Sequence, residues 1–256
     1  MSSKDIGVET LVHALKNPMA VILTGARCLL EREQQYGELN EKQKRVVLRI
    51  LRNAIREGDL IGDILEIGRA KIGFFRISRF SPLHLIRNAF SEVFQELGDE
   101  FAERILECDN PMTIVEILEA KGIDLHFHTG FLNLEPLQDE RKLRQVVRNL
   151  VLGGMHCSGN KIAVGFFVTG MNMGMSVAFD AVGKNGAGCQ SIFRKFFQSP
   201  EGCRHVAGRH ELGLAGVRII IESMDGGFRL ERAGRKEERL TVTLPHRLET
   251  KADEVP

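Results

Sequence analysis

The stretch VHALKNPMAVILTGARCL, residues 12–29, sets apolar side chains three and four positions apart: Val12, Leu15, Met19, Ile22, Ala26 and Leu29. That spacing predicts an amphipathic helix with one continuous apolar seam. His13 follows the first seam residue, so its ring is expected to point away from the apolar face. A neutral imidazole presented in that way is a nucleophile near pH 7. Pro18, with Asn17 before it, removes a backbone N–H and frees the carbonyl near residue 14, which predicts a bend just below the histidine.

Working outward, Gly37 reads as a helix stop and Asn40 as the next N-cap. A second seam follows at Val47, Leu51, Ala54, Gly58, Ile61, Leu65, Gly68 and Ile72, at heptad spacing. Residues 8–73 therefore read as a helical hairpin. Two such helices bury both seams poorly on their own, and pairing with a second copy as a four-helix bundle solves that. After Gly73 the pattern changes. FSPLHLIRNAFSEVFQELGDEFAERILE (80–107) reads as helix broken by Pro111, GIDLHFHT (122–129) as a strand, and DERKLRQVVRNLVLGGM (139–155) as a strong helix. KIAVGFFVTG and GMSVAFDAV read as paired strands, GLAGVRIIIESMDGG as a helix, and FRLER with RLTVTLP as a hairpin. The expected fold class is α+β: a helical hairpin, then an α/β sandwich over residues 74–245, then a flexible tail over 246–256.

The 256 residues are 43% hydrophobic and 27% charged, with a net charge of +1. No global field favours nucleic acid or an anionic membrane. Five cysteines without a close CxxC fit a reducing compartment. No secretory leader and no run of roughly 20 apolar residues is visible, so a cytoplasmic location without membrane insertion is expected.

The order HALKNP, NLVLGG, KNGAG, IFRKFF, ELGLAGVRIIIE, GG and LTVTLP resembles the two-domain catalytic core of sensor histidine kinases, over roughly residues 8–245. The resemblance implies a dimeric four-helix bundle presenting His13 as phosphoacceptor, followed by an ATP-binding α/β sandwich. It also shows what has changed. The acidic residue expected after the histidine is Ala14, and a methyl group cannot take the imidazole proton. Asn17 keeps the position at which the family holds water for hydrolysis of a partner's aspartyl phosphate. Of two Mg²⁺-coordinating asparagines, Asn149 remains and the second is Gly153, while His156 replaces a phosphate-contacting lysine.

In KNGAG, Gly186 and Gly188 keep the pattern of the adenine-binding box, but Lys184 stands where an aspartate accepts the adenine amino group, and ammonium only donates. A shifted alignment would give that role to Asp180, with Gly183. The lid sequence RHELGL keeps only Gly213 of its glycines, with Arg209 and Glu211 where bare backbone would approach phosphate.

These losses predict a histidine phosphotransferase that passes phosphate between response-regulator receivers through His13 without ATP. One alternative is a divergent ATP-dependent kinase, for which Mg²⁺ and ATP would be the cofactors; another is a non-enzymatic regulator-binding module or phosphatase. Expected partners are receiver domains, docking on exposed positions such as Lys16 and Thr24, and a second copy of the chain.

Other features read as structural. Cys189, Cys203, His205 and His210 have no compact zinc-finger spacing. His126 and His128 alternate on a strand's exposed face, and RKEER (235–239) reads as a solvated hairpin turn. Phe193, Phe196 and Phe197 read as core, and residues 90–118 as an insertion that adds helix over the pocket or a partner surface.

Overall fold

The computed structural model describes residues 8–128, 130–158, 161–180, 188–197, 209–233 and 237–248. The chain divides into two units between Arg69 and Ala70.

The first unit contains helices α1 (Val8–Glu31), α2 (Glu33–Tyr36) and α3 (Glu41–Lys71). α1 runs through Pro18 as one helix. Gly37 ends α2 at φ +83°, a backbone angle that glycine adopts without steric cost. Asn40 starts α3 with a reciprocal cap: its Oδ1 accepts Gln43 N at 2.9 Å, and Gln43 Oε1 accepts Asn40 N at 3.0 Å. The seam is buried at Val12, Ala26, Val47, Ala54, Ile61 and Leu65. Val12 clusters with Ile61 and Leu65, and Met19 packs against them, so α1 and α3 run antiparallel. Other apolar positions stay open in the single chain: Leu15 is 52% exposed, Val21 72% and Ile22 44%.

The second unit is a five-stranded sheet covered by helices. Its elements are β1 (Ser78–Arg79), α4 (Pro82–Leu97), α5 (Phe101–Leu106), α6 (Pro111–Glu119), β2 (Ile123–Phe127), β3 (Leu137–Gln138), α7 (Glu140–Cys157), β4 (Ile162–Thr169), β5 (Asn172–Asp180), α8 (Gly188–Phe197), α9 (Arg209–Ser223), β6 (Gly227–Arg232) and β7 (Glu237–Pro245). Strand order is β2-β4-β5-β7-β6, with β2 parallel to β4 and the other pairs antiparallel. β4 and β5 turn at Gly170–Met171, pairing Thr169 with Asn172. α7 is the crossover that a parallel β2–β4 pair requires.

Inward residues of the sheet (Val164, Phe166, Val177, Phe179, Leu240, Val242) are buried with Phe90 of α4, Leu150 of α7 and Ile220 of α9. α7 lies close on the sheet because Gly154 faces Val177; a Cβ there would stand 2.8 Å from Val177 Cγ1. The region 90–118 comprises the second half of α4, then α5 and all of α6 but its last residue, with α4 tied to α5 by Ser91 Oγ donating to Ala102 O at 2.9 Å.

Two expectations need correction. Residues 246–248 are not tail. Leu137 N donates to His246 O at 2.9 Å and Leu248 N to Leu137 O at 3.0 Å, so the chain beyond β7 binds β3 and buries Leu248. Nor is RKEER wholly a solvated turn: Glu237–Arg239 begin β7, and the alternation of that strand turns Glu238 inward, where it is 1% exposed.

Candidate functional site

His13 is exposed on α1, as are Ala14, Lys16, Asn17 and Thr24. His13, Asn17, Ala20 and Thr24 follow at i, i+4, i+7 and i+11, which places them on one helix face. Val12, one residue before the histidine, is 2% exposed. The rigid seam thus fixes the helix while leaving the imidazole open to an incoming group. Pro18 removes the donor that would bind the carbonyl of Ala14. Farther along the same face, Ala20, Val21, Thr24, Gly25 and Cys28 of α1 line an open groove of about 610 Å³ with Tyr36 of α2.

The second constellation lies where α7, α8 and α9 meet. Asp139 caps α7 by accepting Lys142 N at 3.2 Å, which fixes the start of the helix that carries Asn149. Asn149 is 8% exposed. Its Oδ1 accepts a long bond from Arg148 Nε, and its Nδ2 donates to Gly213 O, both at 3.4 Å. The amide oxygen that would meet a cation therefore faces a guanidinium. One turn on, Gly153 offers no side-chain oxygen and little room: a Cβ there would stand 3.1 Å from Phe193 Cζ and 3.2 Å from Leu214 Cδ2. Phe193 stacks on Phe179 with centroids 4.5 Å apart, so α8 closes this corner with ring carbon.

The remaining positions do not assemble a nucleotide cradle among the described residues. Asp180 is the exposed last residue of β5, opposite Glu237. His156 is exposed on the last turn of α7. Gly188 begins α8 and Arg209 begins α9, whereas Gly183, Lys184, Gly186, Cys203 and His205 lie outside the described residues. The side chains of Cys189, His210 and Glu211 also lie outside the description. A cavity inside this unit is wholly apolar and about 30 Å³, lined by residues such as Leu85, Val147, Phe166 and Val242, too small for a nucleotide.

Sequence reasoning missed an ion pair that fixes α8. Arg194 Nη2 meets Glu238 Oε1 at 2.7 Å, with the glutamate side chain 2% exposed. Phe193 and Phe196 are fully buried and Phe197 is 6% exposed, as their sequence reading has it. Arg218 of α9 adds a bond to Phe196 O at 2.9 Å. The period-two pattern from Glu238 to Leu240 and Val242 was the available signal for the buried glutamate. His126 and His128 are exposed, and His126 Nε2 lies 3.0 Å from Asp124 Oδ2. Among the described residues no three His, Cys, Asp or Glu side chains converge as metal ligands. No helix among them is long and apolar enough to cross a membrane.

Residues 8–73 match the His Kinase A (phospho-acceptor) domain. Residues 138–248 match the Histidine kinase-, DNA gyrase B-, and HSP90-like ATPase domain. The chain is 22% identical over 250 residues to the sensor-like histidine kinase SenX3 of Mycobacterium tuberculosis, covering 96% of this chain and 55% of that protein. It is 24% identical over 245 residues to the sensor histidine kinase CpxA of Escherichia coli K12, covering 96% and 48%. The chain thus spans about half the length of these curated relatives. Its fold resembles that of full-length ShkA, crystallised with AMPPNP: TM-score 0.59 and 19% identity, over 93% of this chain and 45% of ShkA.

Proposed function

We propose, for a chain that belongs to the histidine kinase family of two-component signalling proteins, that it passes phosphoryl groups between receiver domains through His13 and does not draw them from ATP. Residues 8–73 serve as the dimerising phosphotransfer hairpin and 74–245 as a degenerate ATPase-like sandwich. One observation carries the reading. The corner where Mg²⁺·ATP would be held has Asn149 Oδ1 turned to Arg148 and Gly153 set against Phe193 and Leu214. These residues do not fit the metal–nucleotide pair, and Mg²⁺ takes so few protein oxygens that losing one matters.

The chemistry at His13 needs neither ATP nor an acid at position 14. An imidazole nitrogen attacks the phosphorus of a receiver's aspartyl phosphate; the N–P bond forms, the acyl O–P bond breaks, and the aspartate leaves as a carboxylate. The phosphorylated ring returns its remaining N–H proton to solvent. A second receiver's aspartate reverses the sequence. Lys16 and Thr24, with the groove beside Thr24, form the face on which the receiver sits. A second copy of the chain covers Leu15 and Ile22.

The test is calorimetric titration of Mg²⁺·ATP into the purified protein, followed by incubation with acetyl-phosphate-charged receiver domains. Absence of heat up to millimolar ATP, with label appearing on His13 from a receiver, is expected. Micromolar binding, or autophosphorylation from ATP, would make the chain a divergent kinase instead.

A further inference from the structure

Away from His13 and from the corner of α7, α8 and α9, His84 of α4 has its ring held by a carboxylate. Its Nδ1 lies 3.1 Å from Oε1 of Glu140 in the first turn of α7, with the histidine side chain 48% exposed and the glutamate 21%. An ionised carboxylate only accepts, which assigns the proton of the neutral ring to Nδ1 and leaves a lone pair on Nε2. Asn88 Nδ2 stands 3.2 Å from Nε2 and 3.4 Å from Nδ1. Those nearly equal distances put the amide over the ring face, because an in-plane position would collide with ring carbon. The in-plane lone pair of Nε2 is thus clear of Asn88. Helix packing fixes the arrangement. His84, Asn88 and Glu92 follow at i, i+4 and i+8 on α4, and Glu140, Arg144 and Arg148 at the same spacing on α7. Glu92 binds Arg144 at 2.8 Å and Arg148 at 3.3 Å, so the two helices are laced together on either side of Asn88.

We infer that His84 is a second phosphoryl acceptor, which takes its group from a small acyl phosphate. A carboxylate-bound imidazole can serve as metal ligand, general base or nucleophile. Among the described residues no three His, Cys, Asp or Glu side chains converge on a metal position, and no hydroxyl or thiol is bonded to His84 for it to activate. A nucleophile needs neither. The Asn88 amide N–H, with the Arg144 guanidinium one turn along α7 from Glu140, supplies donors suited to phosphoryl oxygens. His126 is the contrast: it binds Asp124 through Nε2 at 3.0 Å, which leaves its lone pair on the more crowded Nδ1. In the step at His84, Nε2 attacks phosphorus, the N–P bond forms, the acyl O–P bond breaks, and the acid leaves as a carboxylate. Glu140 is a positioning residue that holds Nδ1–H and offsets the positive charge the ring gains, before that proton passes to solvent. The donor is free in solution, so this acceptor does not rest on the passage of phosphate through His13.

The experiment incubates the full chain with radiolabelled acetyl phosphate and maps acid-labile label by peptide mass spectrometry. His13→Gln should still take label at residue 84, and His13→Gln/His84→Gln should lose it. Glu140→Gln should slow labelling at residue 84 at least fivefold with the half-saturating donor concentration unchanged, whereas His126→Gln has no effect, with circular dichroism unaltered throughout. No label at residue 84, or label there at the same rate in Glu140→Gln, would overturn the inference. Equal labelling of His126 would also overturn it, as general reactivity of exposed imidazoles. Micromolar Zn²⁺ binding abolished by His84→Gln would replace it with a metal site. A chain labelled at residue 84 by acetyl phosphate, but not at His13 by charged receivers freed of that donor, would strike the phosphotransfer reading and leave this acceptor standing.

Discussion

Gly213 lies directly on the amide of Asn149: its carbonyl accepts Asn149 Nδ2 at 3.4 Å, and a Cβ at 213 would stand 3.1 Å from Asn149 Cγ. Asn149 of α7 and Gly213 of α9 therefore pack directly against one another. The contact ties α7 to α9 through a side-chain amide and a backbone carbonyl.

Restoring the missing asparagine should not restore the site. Gly153→Asn would press a Cβ to 3.1 Å from Phe193 Cζ and 3.2 Å from Leu214 Cδ2. Overpacking of that kind costs about 1–3 kcal/mol. A melting temperature lowered by several degrees, with no heat on addition of Mg²⁺·ATP, is the expected pair of results. Gain of nucleotide binding would show that α8 and α9 yield easily.

His13→Gln should separate chemistry from folding. The side chain is exposed, so urea denaturation should move by no more than about 0.5 kcal/mol. Phosphoryl transfer from a charged receiver should vanish. Label retained in this variant would place the acceptor elsewhere.

Asp139 and Lys142 form the most deeply buried ion pair among the described residues, 3.3 Å apart and each 1% exposed. Asp139 Oδ2 also accepts Arg76 N at 2.7 Å. Asp139→Ala removes the carboxylate that faces the buried Lys142 ammonium and the cap of α7, for an expected loss of about 3–5 kcal/mol in urea denaturation. Lys142→Met keeps the volume and should cost far less. Equal costs would mean that the pair itself, rather than the loss of the opposing carboxylate, dominates.

Between α4 and α5, the hydrogen bond from Lys121 Nζ, aided by Phe101 N, holds the Asp99 carboxyl below its ordinary range. A carboxyl with a depressed folded pKa stabilises the fold above its unfolded pKa, and that contribution fades as pH falls through the folded value. Asp99→Asn keeps the Oδ1 acceptor for Phe101 N and loses the charge. Its melting deficit against wild type should be modest at pH 7 and should shrink on acidification below the carboxylate range. A deficit constant with pH would assign the effect to packing.

Much of this architecture could be read from residue order because local chemistry and tertiary placement agree. Asn40 with Gln43 is a cap whose partners lie three residues apart, and Gly170–Met171 closes a hairpin between alternating strands. The methyl at Ala14 and the missing side chain at Gly153 were equally legible, since each stands at a fixed spacing from His13 or Asn149. Glu238 was not: a charged residue beside a basic turn looks solvated until strand register turns it inward to meet Arg194 from another helix. β1 and β3, two residues each, carry too little periodicity to announce themselves. The closure of Asn149 by Arg148 and Gly213 depends on how α7 and α9 approach, which no single segment encodes.

The sheet's strand order bears on how the chain is made. β7 is hydrogen-bonded on both sides, to β5 and to β6, and residues 246–248 follow it onto β3. During synthesis both long helices of the hairpin, α1 and α3, are complete once residue 71 has emerged. The sheet must keep the inner edge of β5 unpaired until residue 245 leaves the ribosome. Nascent chains halted between those points would expose an apolar strand edge, making the interval from 180 to 245 the window in which a chaperone matters most.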